Sequence, residues 1–114
     1  MDSRISSVIT KALDGLALRQ MATAQNIANA NSPNYQPLRV SFEEQLKAAA
    51  SGGEIAIREV QFRAVPTASS STDTGQRIDL ELATASETAL RYGALIDLLG
   101  RELQLQRTII RGGQ

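Results

Sequence analysis

The side chains that most often do chemistry are absent from this chain or scattered along it. Its 114 residues include no His and no Cys. That removes the commonest general base, the commonest metal ligand, thiolate sites and any disulfide. Carboxylates, Lys, Tyr and Ser are left. Glu43-Glu44 and Asp79/Glu81 are the close carboxylate pairs, and both fall where a helix is expected to begin. A carboxylate there complements the helix dipole, so these pairs read as solvated helix ends and not as an acid/base couple. Gly52-Gly53 and Gly112-Gly113 do not open a helix after a strand, so neither reads as a phosphate loop. Tyr35 and Tyr92 read as packing residues. The sequence assigns no catalytic, cofactor-binding or metal-binding residue and no enzyme activity.

Charge and composition narrow the partners. Lys plus Arg number 12 and Asp plus Glu number 12, so no basic excess is available for nucleic-acid phosphates or an anionic membrane surface. No apolar run is long enough to span a bilayer, and Met1-Asp2-Ser3-Arg4 lacks the basic start and apolar stretch of a secretory signal. Sixteen apolar residues are Ala, there is no Trp, and Phe and Tyr number two each. Ala buries little surface and aromatics bury the most. Stability is therefore expected from helix pairing, in part with other chains.

The elements that would do this fall into three segments. Residues 1–30 carry apolar side chains at helical spacing, from Ile5, Val8 and Ile9 to Ala24, Ile27 and Ala28, with Asp2 or Ser3 as the cap. Leu18 and Met21 lie off that stripe. Residues 31–78 form a loop-rich middle. Asn31 to Pro37 reads as a turn, 41–50 as a short helix stopped by Gly52-Gly53, 54–65 as one or two short strands, and 66–75 as a flexible polar loop.

Residues 79–114 form the strongest element. Leu82, Ala85, Ala89, Tyr92, Ile96, Leu99, Leu103 and Ile110, with Gln106 between the last two, repeat at a 3–4 spacing, which predicts a coiled-coil seam. Thr84 and Glu87 also fit a capping box, which would start the helix at 84. A second apolar line, Leu95, Leu98, Leu105 and Ile109, calls for a second partner, and Gly93 and Gly100 would allow close backbone approach. The fold expected is mainly α: long N- and C-terminal helices pairing antiparallel as a coiled coil, around a middle with a short helix and one or two short strands.

A family resemblance enters at Ala24-Gln25-Asn26-Ile27-Ala28-Asn29-Ala30-Asn31-Ser32-Pro33-Asn34-Tyr35. The segment resembles the signature S-N-I-A-N-A-x-T-P-G-Y of bacterial flagellar rod and hook proteins. Asn29 and Asn31 could bond the free backbone groups of the helix end, Pro33 turns the chain, and Tyr35 anchors its exit. Ser32 keeps the hydroxyl of Thr. Asn34 stands where Gly is usual, and Asn tolerates a left-handed backbone. Gln25 replaces Ser. Leu38–Ala49 and the stretches 79–82 and 87–95 are similar to the proximal rod members, the FlgB and FlgC type.

That resemblance implies a structural subunit of the proximal rod, the tubular drive shaft of the basal body. It implies residence in the periplasm, and export through the flagellar type III apparatus without a cleaved signal. The partners implied are copies of itself and other basal-body proteins (FlgC, FlgF, FliE). Phe42 and Leu46 resemble an F-x-x-x-apolar export-gate signal and equally form an i, i+4 apolar pair on a helix. Replacing both with Ala would then block secretion and leave the helices folded, whereas Asp at Leu99 or Leu103 would break assembly. The competing reading is a helical chaperone or adaptor that binds one partner helix.

Overall fold

The computed structural model describes residues 3–68 and 73–112. Its elements are α1 (Ser3–Ala28), β1 (Leu38–Arg39), α2 (Glu43–Ser51), α3 (Glu54–Glu59), β2 (Val65–Pro66) and α4 (Thr74–Gly112). The expected architecture is present, since α1 and α4 pack along each other. Their direction follows from three bonds. Arg77 donates to the Ala30 carbonyl at 2.8 Å, Asn26 to Glu81 at 2.8 Å, and Gln20 to the Ala85 carbonyl at 3.2 Å. Residue numbers fall on α1 as they rise on α4, so the pair is antiparallel. The molecule is correspondingly long, with extents of 63 × 25 × 15 Å.

The middle segment closes a small core on another side of α1. Leu16 and Ala22 of α1 meet Val40, Phe42, Leu46 and Ile57 there, and Leu18 and Phe62 pack against the cluster. Off-stripe Leu18 is thus explained by the middle, while Met21 remains 69% exposed. Gly15 permits the closest approach. A Cβ at this position would lie 2.4 Å from the Phe42 ring.

One expectation for the middle segment is corrected. Residues 54–59 are helix, not strand. A strand would place Ile55 and Ile57 on one face, whereas a helix turns them about 200° apart. Ile57 is 0% exposed and Ile55 is 70% exposed. An i, i+4 ion pair, Arg58 to Glu54 at 2.8 Å, supports the helical state, and Gly53 at φ +96° turns the chain into it from α2. The strand pairing that does form joins Val65–Pro66 to Leu38–Arg39 in antiparallel register. Both Thr67 groups, N–H and hydroxyl, donate to the Pro37 carbonyl and hold the end of the pair.

The C-terminal helix begins at Thr74, ahead of both expected starts. Asp73 Oδ1 accepts from the Gln76 N–H at 3.1 Å and caps it. Thr84 is interior and its hydroxyl donates to the Leu80 carbonyl, so the capping box with Glu87 does not form. Of the stretch read as a flexible loop, 69–72 lies outside the described residues; Pro66 belongs to β2, and Thr74 and Gly75 to α4.

Gly15→Ala forces the Phe42 ring to move and should cost about 1–3 kcal/mol. The check is a thermal melt followed by circular dichroism, in which the midpoint falls by several degrees while low-temperature helicity is retained.

Candidate assembly interface

The expected seam on α4 is shifted by one residue. Buried on α4 are Glu81, Thr88 and Glu102, and of its partly buried residues Ile78, Ala85, Leu95, Leu99 and Gln106 continue the same line. These positions follow a 3–4 spacing and face α1. They share Ala85, Leu99 and Gln106 with the expected seam. In place of Leu82, Ala89, Ile96 and Leu103, however, they use the preceding residues, Glu81, Thr88, Leu95 and Glu102. A seam read from apolar residues selects the greasier line; the chain folds on the more polar one.

The consequence is a displaced apolar surface. Leu82 is 51% exposed, Ile96 46%, Leu103 44% and Ile110 67%. With exposed Ala89 they recur every seventh residue as one exposed line beside the seam, the outer line of α4. Leu98, Leu105 and Ile109 are also exposed, while Leu95 of the second line packs toward α1 and the core. Tyr92 is 38% exposed and borders a groove of about 430 Å³ with Leu16, Ala17, Gln20, Thr88, Ala89 and Gly93. A Cβ on Gly93 or Gly100 would meet nothing within 4 Å, so these glycines serve no close approach within the described chain. Buried Glu102 has an oxygen, Oε1, without a hydrogen-bond partner among the described residues.

What holds the polar line inward is Asn26. It is 4% exposed and uses its whole side-chain amide. Nδ2 donates to the Leu38 carbonyl at 2.9 Å and to Glu81 Oε1 at 2.8 Å. Oδ1 accepts from the Tyr35 hydroxyl and from the Leu38 N–H, each at 2.7 Å. Arg39 donates to Glu81 Oε1 at 2.6 Å, neutralising the carboxylate that Asn26 brings inside. One amide thus ties α1, the following turn, β1 and α4 together. Burial, then the nearby Glu81 carboxylate, raises the Tyr35 phenol above its ordinary pKa, with Arg39 acting in the opposite direction.

The remaining motif residues shape the turn. Asn29 bonds the Gln25 carbonyl and accepts from the Ser32 hydroxyl, as expected of a residue at the helix end. Asn31 is exposed and makes no side-chain hydrogen bond among the described residues, so the role expected of it is not taken up. Asn34 has φ +63°, the left-handed conformation for which Gly is usual. Ala30 is buried and its carbonyl accepts from Arg77; Ile27 is partly buried, and Ala28, Ser32 and Pro33 are exposed.

A second tie was missed in the sequence. Glu43 is not simply a solvated helix end. It accepts from both terminal guanidinium nitrogens of Arg19 at 2.7 and 2.9 Å and from Arg91 at 3.3 Å, joining α2 to α1 and α4. The Arg19 hydrogen bond is the largest cause that lowers its pKa, to about 2. Arg19 also stacks 4.8 Å over the Phe42 ring. Phe42 is 2% exposed, 5.4 Å from Phe62, and Leu46 is 8% exposed. The expectation that the Phe42/Leu46 double Ala variant keeps its fold is therefore wrong. Each truncation opens a cavity in the core that the middle segment closes on α1, at about 2–5 kcal/mol.

Among the described residues, no group of three or more Asp or Glu could hold a metal ion, and no helix is long and apolar enough to cross a membrane. The arrangement offers helix faces. Comparison with known proteins agrees in kind. The chain is similar to the flagellar basal body rod protein FlgB of Bacillus subtilis (strain 168), at 26% identity over 93% of this chain and 92% of that protein. No family model matches. The similarity runs through both long helices and the middle, so it concerns the whole hairpin and not the motif alone.

Two substitutions test the ties. Asn26→Leu strands Leu38 backbone groups and the Glu81 carboxylate, and should cost at least ~2 kcal/mol, lowering the melting midpoint on the order of 10 °C. Glu43 has a folded pKa of about 2 against an ordinary 4.5, so its contribution is complete above 4.5 and is lost as pH falls towards 2. Glu43→Gln should flatten that part of the acid-denaturation profile, measured as melting midpoint against pH. An unchanged acid slope would remove Glu43 from the account.

Proposed function

We propose that this chain is a non-enzymatic structural subunit of the bacterial flagellar rod, of the proximal type. Such a subunit would build a tubular shaft by helix packing in the periplasm, transmit torque and leave a passage for exported proteins. The observation that carries the reading is the seventh-residue line Leu82, Ala89, Ile96, Leu103 and Ile110. A fold meant to be complete alone would bury that line and expose Glu81 and Glu102. This chain does the reverse, and each exposed Leu or Ile would contribute roughly 1.5–3 kcal/mol if a neighbour covered it.

Similarity over nearly the full length to a protein named as a flagellar basal body rod protein supports the same reading. So does the Asn26–Tyr35 motif, whose work here is to fix the two helices against each other. The proposed partners are further copies of the chain and the basal-body proteins FlgC, FlgF and FliE. The proposed route is the flagellar type III apparatus. Phe42 and Leu46 sit in the core, so they could serve as an export signal only in an unfolded chain.

The structure separates two residues that the sequence treats alike. Leu99 lies in the α1–α4 seam, and Leu103 is on the outer line. Leu99→Asp should weaken the hairpin itself. Ile110 is 67% exposed in the single chain, so Ile110→Asp should leave the unfolding free energy within about 0.5 kcal/mol of the parent and yet abolish swimming. Cells that swim normally with Ile110→Asp would contradict the proposal.

A further inference from the structure

The two long helices are unequal, and this fixes where α4 lacks a partner. α1 has 26 residues and α4 has 39, roughly 39 and 58 Å at about 1.5 Å per residue. Pairing starts with Ala30 opposite Arg77 and runs antiparallel, so the described part of α1 is exhausted near Glu102. Beyond it, α4 continues to Gly112 with Gln106 alone partly buried. That extension carries Leu105, Ile109 and Ile110, all exposed, and the charges Arg107 and Arg111 with no acid among them.

The other end of the same helix is its complement. Asp79, Ser86, Gly93, Gly100 and Arg107, all exposed, also recur every seventh residue along α4, each three residues before a member of the apolar line from Leu82 to Ile110. This line begins with an acid and ends with a base. Asp79 and Arg107 are both exposed, and neither has an ion-pair partner among the described residues. They are about 42 Å apart along the axis, too far to meet in one chain. Leu82 is exposed three residues on from Asp79, and on α1 the exposed Ala24 and Ala28 flank Asn26, which meets α4 at Glu81.

We infer that the extension of α4 in one copy docks head-to-tail on the opposite end of a second copy. It lies parallel to the second copy's α4, with Arg107 at Asp79 and Ile110 at Leu82, against Ala24 and Ala28. The two surfaces are different, so the contact is heterologous: it leaves each pair with a free end of each kind and propagates as an open array. A symmetric antiparallel pair of α4 helices would also match Asp79 with Arg107, but it would set Leu82 against residue 104 and Ile110 against residue 76 and close as a dimer, so the Leu82–Ile110 contact is what marks the head-to-tail arrangement. This inference rests on the self-assembly reading above and names its axial contact.

The absence of Cys makes the test clean. Under mild oxidation, the double variant Leu82→Cys/Ile110→Cys should form a ladder of dimers, trimers and longer species. Each single variant should give at most a trace, since a disulfide needs Cα atoms within about 7 Å. Strong dimers from Ile110→Cys alone would mean tail-to-tail pairing and overturn the inference. Charge supplies the second arm, read by sedimentation of the full chain. Asp79→Arg and Arg107→Asp should each lower self-association at least tenfold, and an equimolar mixture of the two should restore it. Parent protein that assembles, with charge variants indistinguishable from it, would refute this contact and leave the self-assembly reading standing. Parent protein that stays monomeric at every concentration and forms no ladder would refute both.

Discussion

The structure depends on satisfying one buried amide. Asn26 sits where α1 ends, and an unpaired amide at 4% exposure would cost several kcal/mol. Its four hydrogen bonds admit one amide orientation. Oδ1 must face the Leu38 N–H, and Nδ2 must face the Leu38 carbonyl and the Glu81 carboxylate. That requirement draws Glu81 inward, Arg39 follows as its counter-charge, and α4 is set in rotation about its own axis. Replacing such a polar node with apolar residues can be neutral or favourable for stability, so its value lies in specifying one packing over others.

The rotation is what gives the hairpin its outer surface. Glu81, Thr88 and Glu102 are poor seam residues, and a helix free to roll would exchange them for Leu82, Ala89 and Leu103. The node prevents this. The second tie, Glu43 with Arg19 and Arg91, anchors the middle segment to both helices on a different side. The small core around Phe42 and Ile57 holds α1 from that side and leaves the outer line of α4 uncovered. An exposed apolar line of this length is expected of an interaction surface, not of a finished monomer.

The sequence was most informative where periodicity is long. Helical spacing in 1–30 and 79–114 announced both helices and their pairing, because a period of 3.6 over many turns has few alternatives. It failed by one residue on the seam. Ala85, Leu99 and Gln106 belong to both possible lines, and apolarity favours the line the protein exposes. It failed at 54–59 because two isoleucines two apart look like alternation, and only burial shows that one is inside. The motif was legible as a motif, and its turn as well, through Asn34. The work of Asn26 was not, since its partners Leu38 and Glu81 are 12 and 55 residues away. No local pattern records such a contact. Gly15 likewise looks incidental until the Phe42 ring is found over it.

The central claim is that polar residues of α4 face inward and an apolar line faces neighbours. Carbene footprinting of the parent chain, dilute and then assembled, tests it residue by residue. Leu82, Ile96, Leu103 and Ile110 should label strongly in the dilute state and become protected on assembly, while Leu16 and Ile57 stay protected in both. Protection of that outer line already in the dilute monomer, or equal labelling in the two states, would contradict the account.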